Sequence, residues 1–191
     1  MDNTLKIINH LGKSWPREFT LHELSKTLSI PYATFYSTIQ DMNDLVRIRI
    51  VGKSKVIGLD VNNKINQSYL AISSEEEKKE YLQKHKTIKI VHDDLNTRDV
   101  VLLFGSYAKG EESERSDIDI MVINKKGDKT ISFSKQETLL NKEINAIYFT
   151  ESEFKSMLKD PEENVGKQAL KGHIILNNPN RFWELVLDGI R

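Results

Sequence analysis

Apolar positions recur at helical spacing in the first part of the chain and switch to strict alternation just after it. Leu5, Ile8 and either Asn9 or Leu11 set an apolar stripe that predicts a helix over Thr4 to Leu11, ended by a loop holding Gly12 and Pro16. Thr20 stands three residues before Glu23, the spacing of a capping box, and Leu21, Leu24 and Leu28 give the next helix its buried face. Ser29-Ile30-Pro31 closes that helix. A third, from about Tyr32 to Met42, packs through Phe35, Ile39 and Met42, which leaves Tyr32, Thr34, Tyr36, Ser37 and Gln40 open. From Leu45 to Val51 polar and apolar residues alternate, Gly52-Lys53-Ser54 turns the chain, and Lys55 to Leu59 returns, which is a hairpin signal.

Residues 62–96 read as helical connectors. Asn62 to Leu70 forms a short helix, and Ser74 caps a second stretch, Glu75 to Lys86, whose apolar face is Tyr81, Leu82, Ile88 and Val91. The run Glu75 to Glu80 mixes acids and lysines three and four apart, the pattern of a solvated helix surface. Then the period changes again. Val100 to Phe104 is wholly apolar and β-favouring, so it is a buried central strand. Ile118, Ile120 and Val122 alternate into a second strand, and Glu143 to Phe149 makes a third. Thr150 with Glu153 is another capping box, opening a helix through Leu158 that stops at Pro161. A helix over Glu162 to Lys171, a short strand over Gly172 to Leu176 and a terminal helix packed by Phe182 and Trp183 complete the chain. The fold class is therefore α/β (α+β), divided into residues 1–62, a connector 63–96 and residues 97–191.

Composition narrows the class. Apolar residues are 38% and charged residues 29%, which is globular, and no apolar run approaches the roughly 20 residues that span a bilayer. Met1 to His10 lacks the basic start and apolar block of a secretory leader. With no cysteine, disulfides and thiolate zinc sites are excluded, which suits a reducing cytoplasm. The five histidines show no metal-ligand spacing. Net charge is zero, yet Arg47, Arg49, Lys53 and Lys55 fall in a stretch without an acid, the kind of patch a nucleic-acid backbone attracts.

The chemistry is concentrated between Gly105 and Asp119. A glycine at a strand end lets the backbone approach a phosphate, and Ser106 opens a helix whose free amides suit an anion. Ten residues after Ser106 come Asp117 and Asp119, whose carboxylates lie on one side of their strand. Magnesium takes oxygen ligands and commonly uses one or two carboxylates, with the substrate's phosphates completing its shell. Lys109 and Arg115 flank the site and could steer a triphosphate.

The apolar strand, Gly-Ser, helix-length spacer and Ser-Asp-Ile-Asp together resemble the signature of the polymerase-beta-like nucleotidyltransferase superfamily, in its minimal branch. The resemblance implies that Gly105 and Ser106 hold the β- and γ-phosphates of a nucleoside triphosphate, with ATP the expected one, and that Asp117 and Asp119 bind Mg (or Mn). Family members usually carry a third carboxylate on the next strand. Here Asn145 stands in that place, with Glu143 two residues earlier as a possible substitute, and an amide cannot serve as a general base. The three helices and hairpin of residues 4–60 resemble a winged helix-turn-helix, which implies double-stranded DNA as a partner, met by Tyr32, Thr34, Tyr36, Ser37 and Gln40 on the third helix and by Arg47, Lys53 and Lys55 on the hairpin. Three function classes follow. One is an enzyme moving a nucleoside monophosphate to a protein or small-molecule hydroxyl, antitoxin-like, with a toxin-like protein partner. Another is a nucleotide-sensing DNA-binding transcriptional regulator that has lost catalysis, and the last is a partner-binding module. A homodimer is the expectation of symmetry for a DNA-binding regulator.

Overall fold

The computed structural model describes residues 1–191, which divide into two compact units, Met1–Ser73 with Arg191, and Ser74–Ile190.

In the first unit, helix α1 (Asn3–Lys13) starts where the Asp2 carboxylate accepts from the backbone N–H of Leu5, and it buries Ile7, Ile8 and Leu11 rather than Leu5. A two-residue strand β1 (Phe19–Thr20), not anticipated from the pattern, leads into α2 (Leu21–Thr27). Thr20 Oγ1 accepts from Glu23 N at 3.1 Å, but the Glu23 carboxylate turns to Arg17 at 2.6 Å, so the expected capping box is half formed. Helix α3 (Tyr32–Asp41) buries Phe35 and Ile39, with Met42 buried just beyond it. The hairpin follows as β2 (Val46–Val51) and β3 (Ser54–Leu59), and β1 joins it to give a three-stranded antiparallel sheet in the order β1-β3-β2.

Residues 65–84 form one continuous helix, α4 (Ile65–Lys84), where two were expected. Ser74 does not cap anything. It lies buried in mid-helix, and its Oγ accepts from Trp183 Nε1 at 2.9 Å. An interior serine can satisfy an indole as well as a helix start, and the sequence pattern does not distinguish the two uses.

The second unit is built on a four-stranded mixed sheet, order β6-β5-β4-β7, from β4 (Val100–Phe104), β5 (Ile118–Asn124), β6 (Ile144–Thr150) and β7 (Ile174–Asn177). Strand β4 pairs antiparallel with β5 and β7, whereas β5 and β6 run parallel, linked by α7 (Ser134–Leu140). Val101, Leu103, Ile118, Ile120, Val122 and Ile144 pack on one side of the sheet with Ile88 and Val91 of α5 (Lys86–Asp93). Tyr81 and Leu82 of α4 join this core, and residues 74–93 fall within the second unit. Leu102 and Met121, of the opposite phase, are equally buried, and α8 (Glu151–Lys159) and α10 (Pro179–Ile190) contact the sheet through β5, β6 and β4. Burial on both faces is why β4 and β5 read as near-continuous apolar runs. Thr150 and Glu153 form the full capping box at the head of α8. Helix α9 (Val165–Lys171) begins three residues later than expected, because Asn164 caps it by accepting from Lys167 N at 3.1 Å. No helix is long and apolar enough to cross a membrane.

Candidate active site

Strand β4 ends at Phe104, and the chain turns at Gly105 into a five-residue helix, α6 (Gly105–Lys109). Gly105 has φ +70°, a conformation L side chains rarely adopt, and a Cβ built there would lie 2.2 Å from Asp119 Oδ2. Two independent reasons thus require glycine, the left-handed backbone and the carboxylate lying directly over the turn. Helix α6 ends at Gly110, also left-handed at φ +69°, with nothing within 4 Å of the place a Cβ would take.

Sheet register sets the rest. Asp119 of β5 is paired with Phe104 on one side and with Asn145 on the other, so the end of β4, the Asp119 carboxylate and the Asn145 amide form a row across three strands. Asn145 Nδ2 donates to Asp119 Oδ1 at 3.3 Å. Asp117 sits just ahead of β5, exposed, while Asp119 is half-buried. Two residues apart at about 3.3 Å per residue, they are roughly 7 Å apart along the chain. With an amide at this place in the row, no three His, Asp or Glu side chains are grouped to share a metal ion. Glu143 does not fill the gap. It precedes β6, where its carbonyl accepts from Ile118 N at 3.0 Å, and its side chain is exposed and takes no part in lining the cavity over Asp119.

That cavity, about 800 Å³, opens beside Gly105, Asp119 and Asn145 and is closed on its far side by α9 and the residues before it. Lys109 lines it, with its aliphatic stem against Gly172. Ser106 is the next residue on α6, half-buried. The helix is held from behind. Tyr81 donates its hydroxyl to the Tyr107 carbonyl at 2.7 Å, and burial pushes its pKa well above the ordinary tyrosine range, so it stays a neutral donor. The Tyr81 ring stacks on His85 at 3.9 Å, whose Nδ1 lies 3.4 Å from Glu112, and Lys142 stands over the Tyr107 ring at 5.8 Å. Trp183, fully buried against Ser74, is unavailable for stacking on a base. The residues of the far wall, among them Ile147, Glu163, Val165, Gln168 and Lys171, carry no motif and were missed by spacing arguments.

Chemically, the Gly105 turn leaves backbone exposed beside an anionic row that only a cation could make hospitable to a phosphate. The Asp119 carboxylate and the Asn145 amide oxygen are hard oxygen donors of the kind that suits a divalent ion, whereas Asp117, two residues earlier, does not line the cavity.

In the first unit, Tyr32 and Tyr36 of α3, with Lys53 and Lys55 of the hairpin and His22, line a cleft of about 360 Å³. The two tyrosine rings stack at 6.3 Å. Thr34, Ser37 and Gln40 are exposed on α3 but do not line this cleft. Arg47 does not join it either. With Arg49 it faces the opposite side of the hairpin from Lys55, and Glu18 holds the pair at 3.0 and 2.6 Å. The acid-free stretch of sequence thus acquires its acid from a residue 29 positions earlier.

Known proteins resemble the second unit. The family described as "Polymerase beta, Nucleotidyltransferase" matches residues 76–181. A protein of Methanocaldococcus jannaschii named "Putative protein adenylyltransferase MJ1379" is 57% identical over 44 residues, 23% of this chain and 41% of its own length. The chain therefore spans about two fifths of the length of that curated relative. No solved structure matches the chain.

Proposed function

We propose, from the premise that the chain belongs to the polymerase beta nucleotidyltransferase family, that it is a metal-dependent enzyme moving a nucleoside monophosphate from an NTP to a hydroxyl of a protein or small molecule. The observation that carries this proposal is the Asp119 carboxylate packed over the positive-φ turn at Gly105 in a cavity large enough for a nucleotide. The adenylyltransferase name of the archaeal relative supports ATP as the donor and a protein as the acceptor.

In the proposed reaction the acceptor oxygen bonds to the α-phosphorus, the bond from that phosphorus to the α,β-bridging oxygen breaks, and pyrophosphate leaves. Asp117 and Asp119 would hold Mg²⁺ or Mn²⁺, which when bound neutralises charge on the phosphates and lowers the barrier to displacement. Gly105 and Ser106 present backbone to the β- and γ-phosphates, and Lys109 adds positive charge at the same end. Asn145 orients Asp119 by its amide but accepts no proton at neutral pH, so the acceptor's proton passes to an Asp carboxylate or to water.

A second function rests on Asn145. With an amide where a third acid would hold a metal and take the proton, the domain suits a nucleotide sensor that binds and releases without transfer. In either case residues 1–62 are proposed to bind duplex DNA as a winged helix-turn-helix, with Lys53 and Lys55 on phosphates, Tyr32, Thr34, Tyr36, Ser37 and Gln40 toward the groove, and a homodimer reading two half-sites. A cytoplasmic antitoxin or transcription regulator, paired with a toxin-like protein, unites the two halves. Calorimetric titration of the wild type, Asp117→Asn and Asp119→Asn with MgATP tests the site. Metal-dependent binding should be present in the first and lost in the other two, and wild-type affinity in either variant would overturn the assignment.

A further inference from the structure

We propose that the far wall of the catalytic cavity reads the base of the nucleotide, with Gln168 selecting adenine over guanine between the apolar side chains of Ile147 and Val165. The proposal rests on the nucleotide site described above and adds its specificity determinant.

The polarity of the cavity fixes which way a nucleotide lies. Its anionic end must sit where Gly105 exposes backbone and where Asp119 can share a cation, and Lys109 reaches the cavity from the same helix as Gly105. The base is then left to the other wall. Ile147 lies two residues beyond Asn145 on β6, hence on the same side of the strand and about 7 Å further from the metal-binding row. Opposite it stands α9, where Val165 and Gln168, three residues apart, share one helix face. Ile147 and Val165 are both half-buried, so they offer an apolar slot to a flat ring. The charged groups of this wall are already matched, since Lys171 pairs with Glu163 at 2.8 Å, which makes the wall a poor place for phosphates.

Gln168 is the polar group of the slot that carries no charge. Its side-chain amide is exposed and makes no hydrogen bond within the protein, so both its donor and its acceptor are available. A glutamine amide accepts from the adenine N6 amino group and donates to N7 at once, whereas guanine presents two acceptors, O6 and N7, along that edge and leaves the amide oxygen facing a lone pair. Such a bidentate match discriminates by roughly tenfold or more.

The test is equilibrium binding of ATP and GTP analogues with a methylene group in place of the α,β-bridging oxygen, which cannot transfer, and of inorganic tripolyphosphate, each with Mg²⁺, to the wild type and Gln168→Ala. The exposed position leaves the fold unaffected by the change. The wild type should hold the ATP analogue about tenfold tighter than the GTP analogue, the variant should bring the two within about twofold, and tripolyphosphate should bind both proteins alike. A preference that survives in Gln168→Ala, or equal binding of the two analogues by the wild type, overturns the proposal while leaving the nucleotide site intact. A wild type that binds none of the three overturns both.

Discussion

Replacing Gly105 by alanine loads the site in two separable ways. Alanine at φ +70° pays the left-handed penalty, about 1–2 kcal/mol, and its Cβ would fall 2.2 Å from Asp119 Oδ2 and 3.0 Å from Asp119 Cγ. The overlap is with the far end of a side chain, so the cheapest relief is rotation of the carboxylate by roughly 1 Å or more, enough to carry it out of a metal's shell. Gly110→Ala isolates the first load, since it has nearly the same φ, +69°, and open space around the new methyl. Both variants should therefore lose about 1–2 kcal/mol, a Tm decrease of several degrees by differential scanning calorimetry. Only Gly105→Ala should also lose metal-dependent nucleotide affinity, by at least the roughly 10- to 100-fold that follows from disturbing a ligand's surroundings. Equal nucleotide affinity in the two alanine variants would refute the placement of the metal and phosphates over Gly105.

Asp117→Asn and Asp119→Asn keep size and shape, so each should lower Mg²⁺-dependent ATP affinity by about 10- to 100-fold in calorimetry while leaving Tm near the wild-type value. Lys53→Ala with Lys55→Ala should flatten the salt dependence of duplex DNA binding by about one unit of slope per lost contact, and Arg47→Ala should change it less, because Glu18 already holds that guanidinium. An unchanged slope in the double variant would remove the hairpin from the interface. Arg181, hydrogen-bonded to Glu151 at 2.9 and 2.5 Å, holds the Glu151 carboxyl below the ordinary glutamate range. Its stabilising contribution is therefore complete above the unfolded glutamate pKa of about 4.3 and lost as pH falls through the lower folded value, so Glu151→Gln should flatten thermal stability over that acid window.

Much of the molecule was legible because its signals are local. Period and caps placed α3, the hairpin, β4, β5 and the head of α8 close to where they lie, and the Gly105 to Asp119 spacing marks the turn and the strand start that the sheet register brings together. What was not legible depends on partners distant in sequence. Ser74 has the composition of a cap, and only the indole of Trp183, arriving 109 residues later, turns it into an interior group. Arg47 sits in an acid-free stretch until the register of β1 on β3 brings Glu18 against it. Glu143 and Asn145 share a strand phase on paper, yet the strand starts at Ile144, so only Asn145 meets Asp119. The far wall of the cavity comes from α9, whose Val165 and Gln168 look like any amphipathic helix surface until β6 faces them across the cavity.

The most direct measurement is transfer of label from ATP radiolabelled at the α-phosphate, with Mg²⁺ and candidate protein partners, by the wild type, Asp119→Asn and Asn145→Asp. The account predicts slow, metal-dependent labelling by the wild type, none by Asp119→Asn, and a rise of about 10²-fold in Asn145→Asp, the low end of what a restored general base supplies. Labelling by Asp119→Asn at the wild-type rate would contradict it.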